Sequence, residues 1–220
     1  MSSRKNKKRK EKSKEKSKKK SKTNKTEKLT KLFKKAEKFA KKTHIQDIER
    51  IDKRDHLVEK FDEFFKEYIY VVVASGFRGK TAAELLPKLE KCQGNKKKML
   101  KHFKNKRKCE AISTVFQLKN DWENLRSSLT TVDSLKQFPL IGDVVKHHLA
   151  RNIGLVTCAK PDLHLTRLAK KLKFKDVKSM VDFVASNFNY KPGTADFILW
   201  IYLSHNGEEQ DCCYGGYELR

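Results

Sequence analysis

The sequence predicts an all-α domain of about 130–150 residues, a size that a single hydrophobic core can support, behind a disordered basic tail. Two patterns lead to this prediction. Apolar residues recur at helical three- and four-residue spacing through most of the chain after residue 26, whereas residues 1–26 contain almost none. Repeated strand–helix alternation is also missing, and nine glycines are few for a doubly wound nucleotide-binding fold.

The charge of the chain indicates the kind of partner. Its 52 Lys and Arg residues outnumber 27 Asp and Glu residues, which gives a formal net charge of +25 over 220 residues. This excess favours a polyanion, most simply nucleic acid, whose phosphates the basic side chains neutralise. An anionic membrane surface is the alternative. No apolar run is long enough to span a bilayer, so we expect no membrane-embedded segment.

Residues 1–26 are Lys, Arg, Ser and Glu with too little apolar surface to fold, so we expect a disordered tail. Within it the segment KNKKRK, residues 5–10, suits a nuclear-import signal or a non-specific DNA-binding arm. A solubilising low-complexity tail is the alternative. If the chain is eukaryotic, this segment predicts a nuclear protein.

The cysteines are five, an odd number, and form no CxxC pair, so neither a disulfide framework nor a zinc site is indicated. Reduced thiols in an intracellular protein are the preferred interpretation. No cluster of His, Cys and acidic residues predicts a catalytic metal bound by side chains. The cysteines are Cys92, Cys109, Cys158, Cys212 and Cys213.

Residues 27–54 form a basic amphipathic extension. Leu29, Phe33, Ala36 and Ala40 share one helical face, which we expect to pack on the main domain while the lysines face solvent. A membrane surface or a partner protein is the other candidate for that face. We place the main domain at residues 55–206 and a loose C-terminal tail at 207–220.

The main domain begins with a strongly apolar helix, Leu57 to Ala74. Its run Val71 to Val73 is β-branched, so a strand is a real alternative there. That alternative supports a nucleotide-binding hypothesis in which residues 74–81 (ASGFRGKT) form a phosphate loop, with Lys80 and Thr81 reaching the terminal phosphates and Mg²⁺. Further helices are predicted at 82–91, 111–124, 177–188 and 195–203.

The stretch 138–172 carries the strongest functional pattern. Its opening residues FPLIG predict a tight turn into a helix, with Gly142 free to adopt a positive φ or to let another backbone approach closely. A turn whose N–H groups face outward at a helix N-terminus can bind a phosphate. Further on, Pro161 biases Lys160 away from helix, and Asp162 stands where its side chain can cap the next helix.

This stretch resembles the helix-hairpin-helix DNA glycosylases, the group that includes the endonuclease III-like base-excision enzymes. That family carries a Leu-Pro-Gly-x-Gly hairpin, then a helix, then a Val-Asp-x-His-like segment with the essential aspartate. At the level of pattern the match runs from about Tyr68 to Asn206. The matching residues are Pro139, Ile141 and Gly142 in the hairpin and Asp162, His164 and Arg167 in the aspartate segment.

The resemblance implies an all-α helix-hairpin-helix glycosylase domain that acts as a monomer on double-stranded DNA and hydrolyses the N-glycosidic bond of a damaged or mispaired base. Asp162 would stabilise the positive charge that develops on the sugar. The phosphate would be held by the hairpin, with help from the helix that follows. The implied contacts are Pro139, Leu140, Ile141, Gly142 and Lys146, with Arg151 as an extension and His147 and His148 interpreted as surface polar groups.

Two departures from the family pattern refine this expectation. Leu140 replaces the first glycine of the hairpin, and Val144 replaces the lysine with which bifunctional members cleave the strand, so a monofunctional enzyme or an inactive relative is implied. Lys160 is a second candidate nucleophile through a Schiff base, or a phosphate contact. The iron–sulfur loop of several relatives is absent, and we expect no cofactor apart from a monovalent cation at the hairpin backbone.

The turn after Ala74 has its own role in the family, where the tip of such a turn probes the gap left by the extruded base. Phe77 would then be an apolar wedge, with Arg78 and Lys80 near phosphates. Packing of Phe77 between helices and a solvated basic turn explain these residues equally well. Three hypotheses therefore stand: a glycosylase-like repair enzyme, a non-catalytic DNA-binding module with the same hairpin, and a phosphate-loop nucleotide binder.

Overall fold

The computed structural model describes residues 25–77 and 79–206, and every regular element in those ranges is helical, which confirms the predicted all-α class. The tail segment KNKKRK, Arg78 and the C-terminal tail lie outside the described residues. Two 3₁₀ segments, Gln117–Asp121 and Val132–Gln137, lie on either side of the helix Trp122–Ser128. The helices are α1 (25–43), α2 (Ile45–Lys53), α3 (Phe61–Ala74), α4 (Gly79–Glu90), α5 (Lys96–His102), α6 (Lys106–Phe116), α7 (Trp122–Ser128), α8 (Val145–Asn152), α9 (Leu163–Lys171), α10 (Val177–Phe188) and α11 (Pro192–Asn206).

The first lobe consists of α3 to α8 and is built around α3. Phe64, Tyr68 and Ile69 of this helix are fully buried, and its last turns are buried on all sides. The strand alternative for Val71–Val73 is wrong, because these residues lie inside α3. Neighbouring helices surround the whole circumference, and this burial outweighs the slight helix penalty of β-branched side chains.

The second lobe consists of α1, α2 and α9 to α11 around a separate hydrophobic core. The apolar face of α1 is completely buried in it, so residues 27–54 supply part of a core rather than only an appendage. The ring of Phe33 lies 4.6 Å from that of Phe188, and the Tyr190 hydroxyl donates to the Glu37 carboxylate at 2.8 Å. Helix α1 already includes residues 25 and 26, which the sequence assigns to the tail.

Polar contacts join the two lobes. The Glu67 carboxylate of α3 accepts hydrogen bonds from Arg50 of α2 at 3.2 Å and from Asn152 of α8 at 2.9 Å, and both Glu67 and Asn152 are buried. The chain then crosses between the lobes through the link 153–162. Gly154 starts this link with a φ of +74°, and a Cβ there would lie 2.0 Å from the His56 carbonyl oxygen, so only glycine fits.

None of the helices in the described ranges is both long enough and apolar enough to cross a membrane. The same residues bring together no group of three or more His, Cys, Asp or Glu side chains that could hold a metal ion.

Candidate functional site

The hairpin before α8 is fixed by its contacts with the first lobe. Phe138 and Ile141 are buried, and the Tyr68 hydroxyl donates to the Pro139 carbonyl oxygen at 2.8 Å. The residue with a positive φ is Leu140, at +63°, rather than Gly142 as the sequence suggested. The leucine that replaces the first glycine of the family pattern therefore adopts a left-handed conformation, and its side chain packs on the core.

Gly142 lies at the open side of this hairpin. A Cβ built on it would meet no atom within 4 Å, so the fold itself does not require glycine here. Within the described ranges, the backbone N–H groups of Gly142, Asp143 and Val144 donate to no other residue. Free N–H groups just before a helix form a site for an anion such as a DNA phosphate.

Lys146 is less available to a phosphate than the sequence predicts. Its ammonium group lies 2.8 Å from the Asp133 carboxylate and 3.2 Å from that of Asp143, and its side chain is only 12% exposed. Lys136 completes this ion-pair cluster with Asp143 at 2.5 Å. The hydrogen bond from Lys146 lowers the pKa of Asp133, and the contact with Asp133 raises the pKa of Lys146.

The two histidines of α8 are not simple surface groups, which corrects the sequence-based interpretation. His147 lies with its Nδ1 3.6 Å from the sulfur of Cys158, and His148 packs edge-on against the Tyr70 ring at 5.9 Å. Burial holds the pKa of His148 well below its usual value, with nearby Arg151 adding to the effect, so its imidazole is neutral at pH 7.

Asp162 occupies the position predicted for it. Its Oδ1 accepts the backbone N–H of Leu165 at 3.0 Å and so caps α9. The Asp162 N–H donates to the Lys160 carbonyl at 2.7 Å, which closes a tight turn around Pro161. The capping role is therefore present, and it orients a carboxylate at the N-terminus of a helix in the site.

Lys160 lies beside this carboxylate in a partly buried position. Its ammonium group is 5.8 Å from the centre of the Trp200 ring, a cation–π distance. Burial lowers the pKa of Lys160, and the neighbouring carboxylates of Asp162 and Asp196 oppose that shift only in part. A lowered pKa raises the fraction of neutral amine, which is the nucleophilic form.

From the sequence, Asp196 at the start of the helix predicted at 195–203 is either a cap, the preferred interpretation, or a second carboxylate near the site. It lies inside α11, 1% exposed, and its Oδ2 is 2.7 Å from Nη1 of Arg151. Its Oδ1 accepts the backbone N–H of Lys160 at 2.9 Å. Burial raises the pKa of Asp196 to about 7, although Arg151 acts in the opposite direction. Arg151 is thereby held in a buried ion pair instead of extending a phosphate contact.

The first turn of α11 also forms a hydrogen bond with the link 153–162. Thr157 accepts the backbone N–H of Gly193 through its hydroxyl oxygen at 3.0 Å. A Cβ at Gly193 would lie 3.1 Å from the side chain of Arg151, so the missing side chain leaves room for the arginine. The contacts of Thr157 and Lys160 join residues 36 positions apart, which no local sequence pattern could reveal.

The predicted wedge lies on the turn after α3. Phe77 is 44% exposed, and its inner side packs edge-on against Phe103 at 5.5 Å. The ammonium group of Lys108 lies 4.5 Å from the centre of the Phe77 ring. Lys80 is exposed in the first turn of α4, and Arg78 lies outside the described residues. Phe77 thus combines partial packing with an accessible edge.

The structural context of a phosphate loop is missing around residues 74–81. Such a loop follows a β-strand, whereas residues 61–74 form α3. Lys80 and Thr81 belong to α4, which packs on α3 in the first lobe. This observation counts against the nucleotide-binding hypothesis.

Val144, at the place of the family's hairpin lysine, is a 42% exposed apolar residue directly before α8. It offers no amine. A surface cleft of about 490 Å³ at the start of α11 is lined by neither Asp162 nor Lys160. The chemistry-bearing groups are therefore gathered where the link 153–162 meets α8, α9 and α11.

The fold is similar to that of the Methanocaldococcus jannaschii 8-oxoguanine glycosylase/lyase, whose crystal structure was determined in complex with a 15mer DNA containing 8-oxoguanine. The TM-score is 0.61 at 18% sequence identity, and the alignment covers 79% of this chain and 97% of that chain. This likeness supports the predicted helix-hairpin-helix glycosylase fold. No protein-family model matches the chain, and no curated protein matches it.

Proposed function

We propose that this protein is a DNA base-excision glycosylase that hydrolyses the N-glycosidic bond of a damaged or mispaired base in duplex DNA. The observation that carries the proposal is the carboxylate of Asp162, which caps α9 and lies 18 positions after Val144 of the phosphate-binding hairpin. The shared fold and the net charge of +25 support it. Within the superfamily we infer an endonuclease III-like member without the hairpin lysine and the iron–sulfur loop.

Asp162 would act on the sugar. As the C1′–N bond breaks, the electron pair leaves with the base and positive charge develops on the sugar ring. An oriented carboxylate stabilises that charge because it requires no reorganisation during the reaction. Water then adds to C1′, and its proton passes to the carboxylate or to solvent. The cap through Oδ1 fixes the side chain, and the second carboxylate oxygen is proposed to act on the sugar.

DNA would be held by backbone as well as side chains. The free N–H groups of Gly142, Asp143 and Val144 are the proposed phosphate site. Of the carbonyl oxygens in this hairpin, those that accept no hydrogen bond within the described ranges are the proposed ligands of a monovalent cation. Phe77 is the proposed wedge, because its exposed edge can enter the stack while Phe103 supports the other side. Lys80, exposed in the first turn of α4, is a proposed contact to a DNA phosphate near this turn.

We infer hydrolysis without strand cleavage, because Val144 supplies no amine at the hairpin. Lys160 is the competing candidate, since its partly buried amine lies beside Asp162. Attack of that amine on C1′ would displace the base with the electron pair of the C1′–N bond, and opening of the sugar ring would then leave a Schiff base. Loss of a C2′ proton from this Schiff base would expel the 3′ phosphate and so cleave the strand. Borohydride reduction distinguishes the two routes, because it traps a Schiff base as a covalent protein–DNA product that Lys160→Met would abolish.

The deciding experiment is a single-turnover assay on duplexes that carry 8-oxoguanine, uracil, hypoxanthine or an alkylated adenine. We expect abasic product, revealed by alkali, from the wild type on at least one lesion. Asp162→Asn should remove this product while retaining DNA affinity and fold, because Asn caps a helix as well as Asp does. Equal activity of wild type and Asp162→Asn would contradict the assigned role.

A non-catalytic DNA-binding module is the second candidate, favoured by the departures at Leu140 and Val144. It predicts salt-sensitive DNA binding with no product on any lesion, and no effect of Asp162→Asn on affinity.

A further inference from the structure

The segment 96–108 is a concentrated positive region outside the candidate active site. It contains seven lysines and Arg107 but no Asp or Glu. Its two helices begin alike: Asn95 caps α5 and Asn105 caps α6, each accepting the N–H three residues on at 3.0 Å. Three basic residues fill the first turn after each cap, and neither first turn holds an acidic residue.

This arrangement is unfavourable for the isolated helices, because cations near a helix N-terminus oppose the helix dipole. Internal contacts engage only two of these basic side chains. Lys96 pairs with Glu110, and Lys108 donates to the Val73 carbonyl at 3.0 Å and to that of Ser75. The other basic side chains are exposed and form no ion pair within the described ranges. We call this set the α5–α6 ridge: Lys97, Lys98, Lys101, Lys104, Lys106 and Arg107.

The ridge borders the turn that carries Phe77. Phe103, between α5 and α6, packs against Phe77, and Lys108 covers the Phe77 ring. The turn before α5 is equally constrained, since a Cβ at Gly94 would lie 2.5 Å from the Cβ of Phe116. The backbone that carries these cations is therefore held next to the turn.

We propose that the α5–α6 ridge is a second contact surface for duplex DNA, which holds the phosphate backbone of the arm that runs past the Phe77 turn. The proposal rests on the proposed function for its partner but requires only binding, not excision. Exposed lysine side chains suit sequence-independent phosphate contacts, because they are flexible point charges. Each phosphate neutralised releases condensed counterions and steepens the salt dependence of binding.

The test uses the full chain and a duplex with a tetrahydrofuran abasic analogue. The ridge variant is Lys97→Gln, Lys101→Gln, Lys104→Gln and Arg107→Gln. The matched control removes the same charge from exposed positions of α1: Lys28→Gln, Lys31→Gln, Lys35→Gln and Lys38→Gln. Fluorescence anisotropy between about 50 and 200 mM salt gives the slope of log Kd against log salt concentration, which should fall by about 0.9 for each phosphate that the variant no longer neutralises.

We expect the slope of the ridge variant to decrease by about 2 to 3.6 and its affinity to fall at least about tenfold, whereas the slope of the control should decrease by less than about 1. Lengthening one duplex arm should tighten wild-type binding on one side of the lesion only, and the ridge variant should lack that gain. An unchanged slope in the ridge variant, or an equal decrease in both variants, overturns the proposal.

The excision rate at saturating enzyme separates this proposal from the proposed function. It should be unchanged in the ridge variant, because the ridge touches no reacting atom. Normal lesion excision by the ridge variant together with an unchanged salt slope would contradict only the proposal for the ridge. Absence of DNA binding by the wild type would contradict both the ridge proposal and the proposed function.

Discussion

Asp196 joins three segments of the candidate site through one carboxylate. It pairs with Arg151 of α8, accepts the N–H of Lys160 in the link, and itself belongs to α11. Removing one member of a buried pair leaves an uncompensated charge, which is more costly than the net gain of the pair itself. Asp196 is therefore a positioning residue: it fixes the turn that presents Lys160 and Asp162.

The ion pair predicts a pH dependence. Burial raises the pKa of Asp196 to about 7, so the pair with Arg151 is intact above pH 7 and is lost as the carboxyl protonates below it. If the proposed function holds, the single-turnover excision rate should rise through pH 7 in the wild type. Asp196→Asn mimics the protonated form and should show a lower rate without this rise.

The contribution of Asp196 to folding stability should fall as pH rises, whereas the excision rate should increase. The folded-state pKa lies above the ordinary value of 3.8, so between these values the folded state binds the proton more tightly than the unfolded state does. The contribution of Asp196 to stability is thus full below about pH 4 and is lost as pH rises through about 7. Urea unfolding should show this loss in the wild type but not in Asp196→Asn.

The pH–rate profile tests the positioning role separately. An unchanged profile of the excision rate in Asp196→Asn would refute that role.

The hairpin 138–144 contains one residue with a strained backbone, Leu140, and one whose surroundings are open, Gly142. Leu140 adopts a left-handed conformation, at a cost on the order of 1–2 kcal/mol for a residue with a Cβ. The Tyr68 hydrogen bond and packing of the Leu140 side chain on the core offset this cost. Gly142 meets no such constraint, since an added Cβ would lie within 4 Å of no atom, and its missing side chain leaves room for the proposed phosphate.

Gly142→Ala tests whether that ligand is a phosphate. We expect the free energy of unfolding to stay unchanged or rise by up to about 1 kcal/mol, since Ala restricts the unfolded chain. DNA affinity should fall at least about tenfold, because the new methyl group separates the phosphate from the free N–H groups. Urea unfolding and anisotropy on one duplex measure both quantities.

Gly94→Ala is the contrasting control for this substitution. Gly94 has a φ of +70°, and its added Cβ would collide with Phe116, so the variant should be strongly destabilised. Retention of full DNA affinity by Gly142→Ala would show that the hairpin does not bind phosphate closely.

For the molecule as a whole, the candidate site lies where two cores meet. The first lobe supplies the hairpin and Arg151, and the second supplies Asp162 and Asp196. Their relative placement depends on the cross-lobe pairs and on the integrity of the second core, which α1 completes. Residues 27–54 should therefore be required for folding of the second lobe.

Phe33→Ala tests this requirement. Phe33 is fully buried against Phe188 and Tyr190, so we expect the variant to lose about 3–5 kcal/mol of unfolding free energy. Lys34→Ala, on the exposed face of the same helix, should change it by less than about 0.5 kcal/mol. Equal, small effects of both substitutions on chemical unfolding would mean that α1 is a dispensable appendage.

Several features of the molecule follow from local periodicity and local chemistry. The all-α class, the apolar face of α1, the turn before α8 and the cap at Asp162 are of this kind, because each depends on residues within a few positions of one another. A polyanionic partner is indicated in the same way, since net charge can be counted without coordinates.

Other features depend on how the chain packs. Val71–Val73 are helical, and Lys146 forms ion pairs with two aspartates. Asp196 is a buried partner of Arg151 and Lys160 instead of a cap. Each outcome depends on which surfaces two separate cores bury and on pairs of residues far apart in the chain. Burial and long-range pairing are properties of the packed molecule. The pKa values and ion pairs of the site therefore depend on the tertiary structure and cannot be read from local sequence.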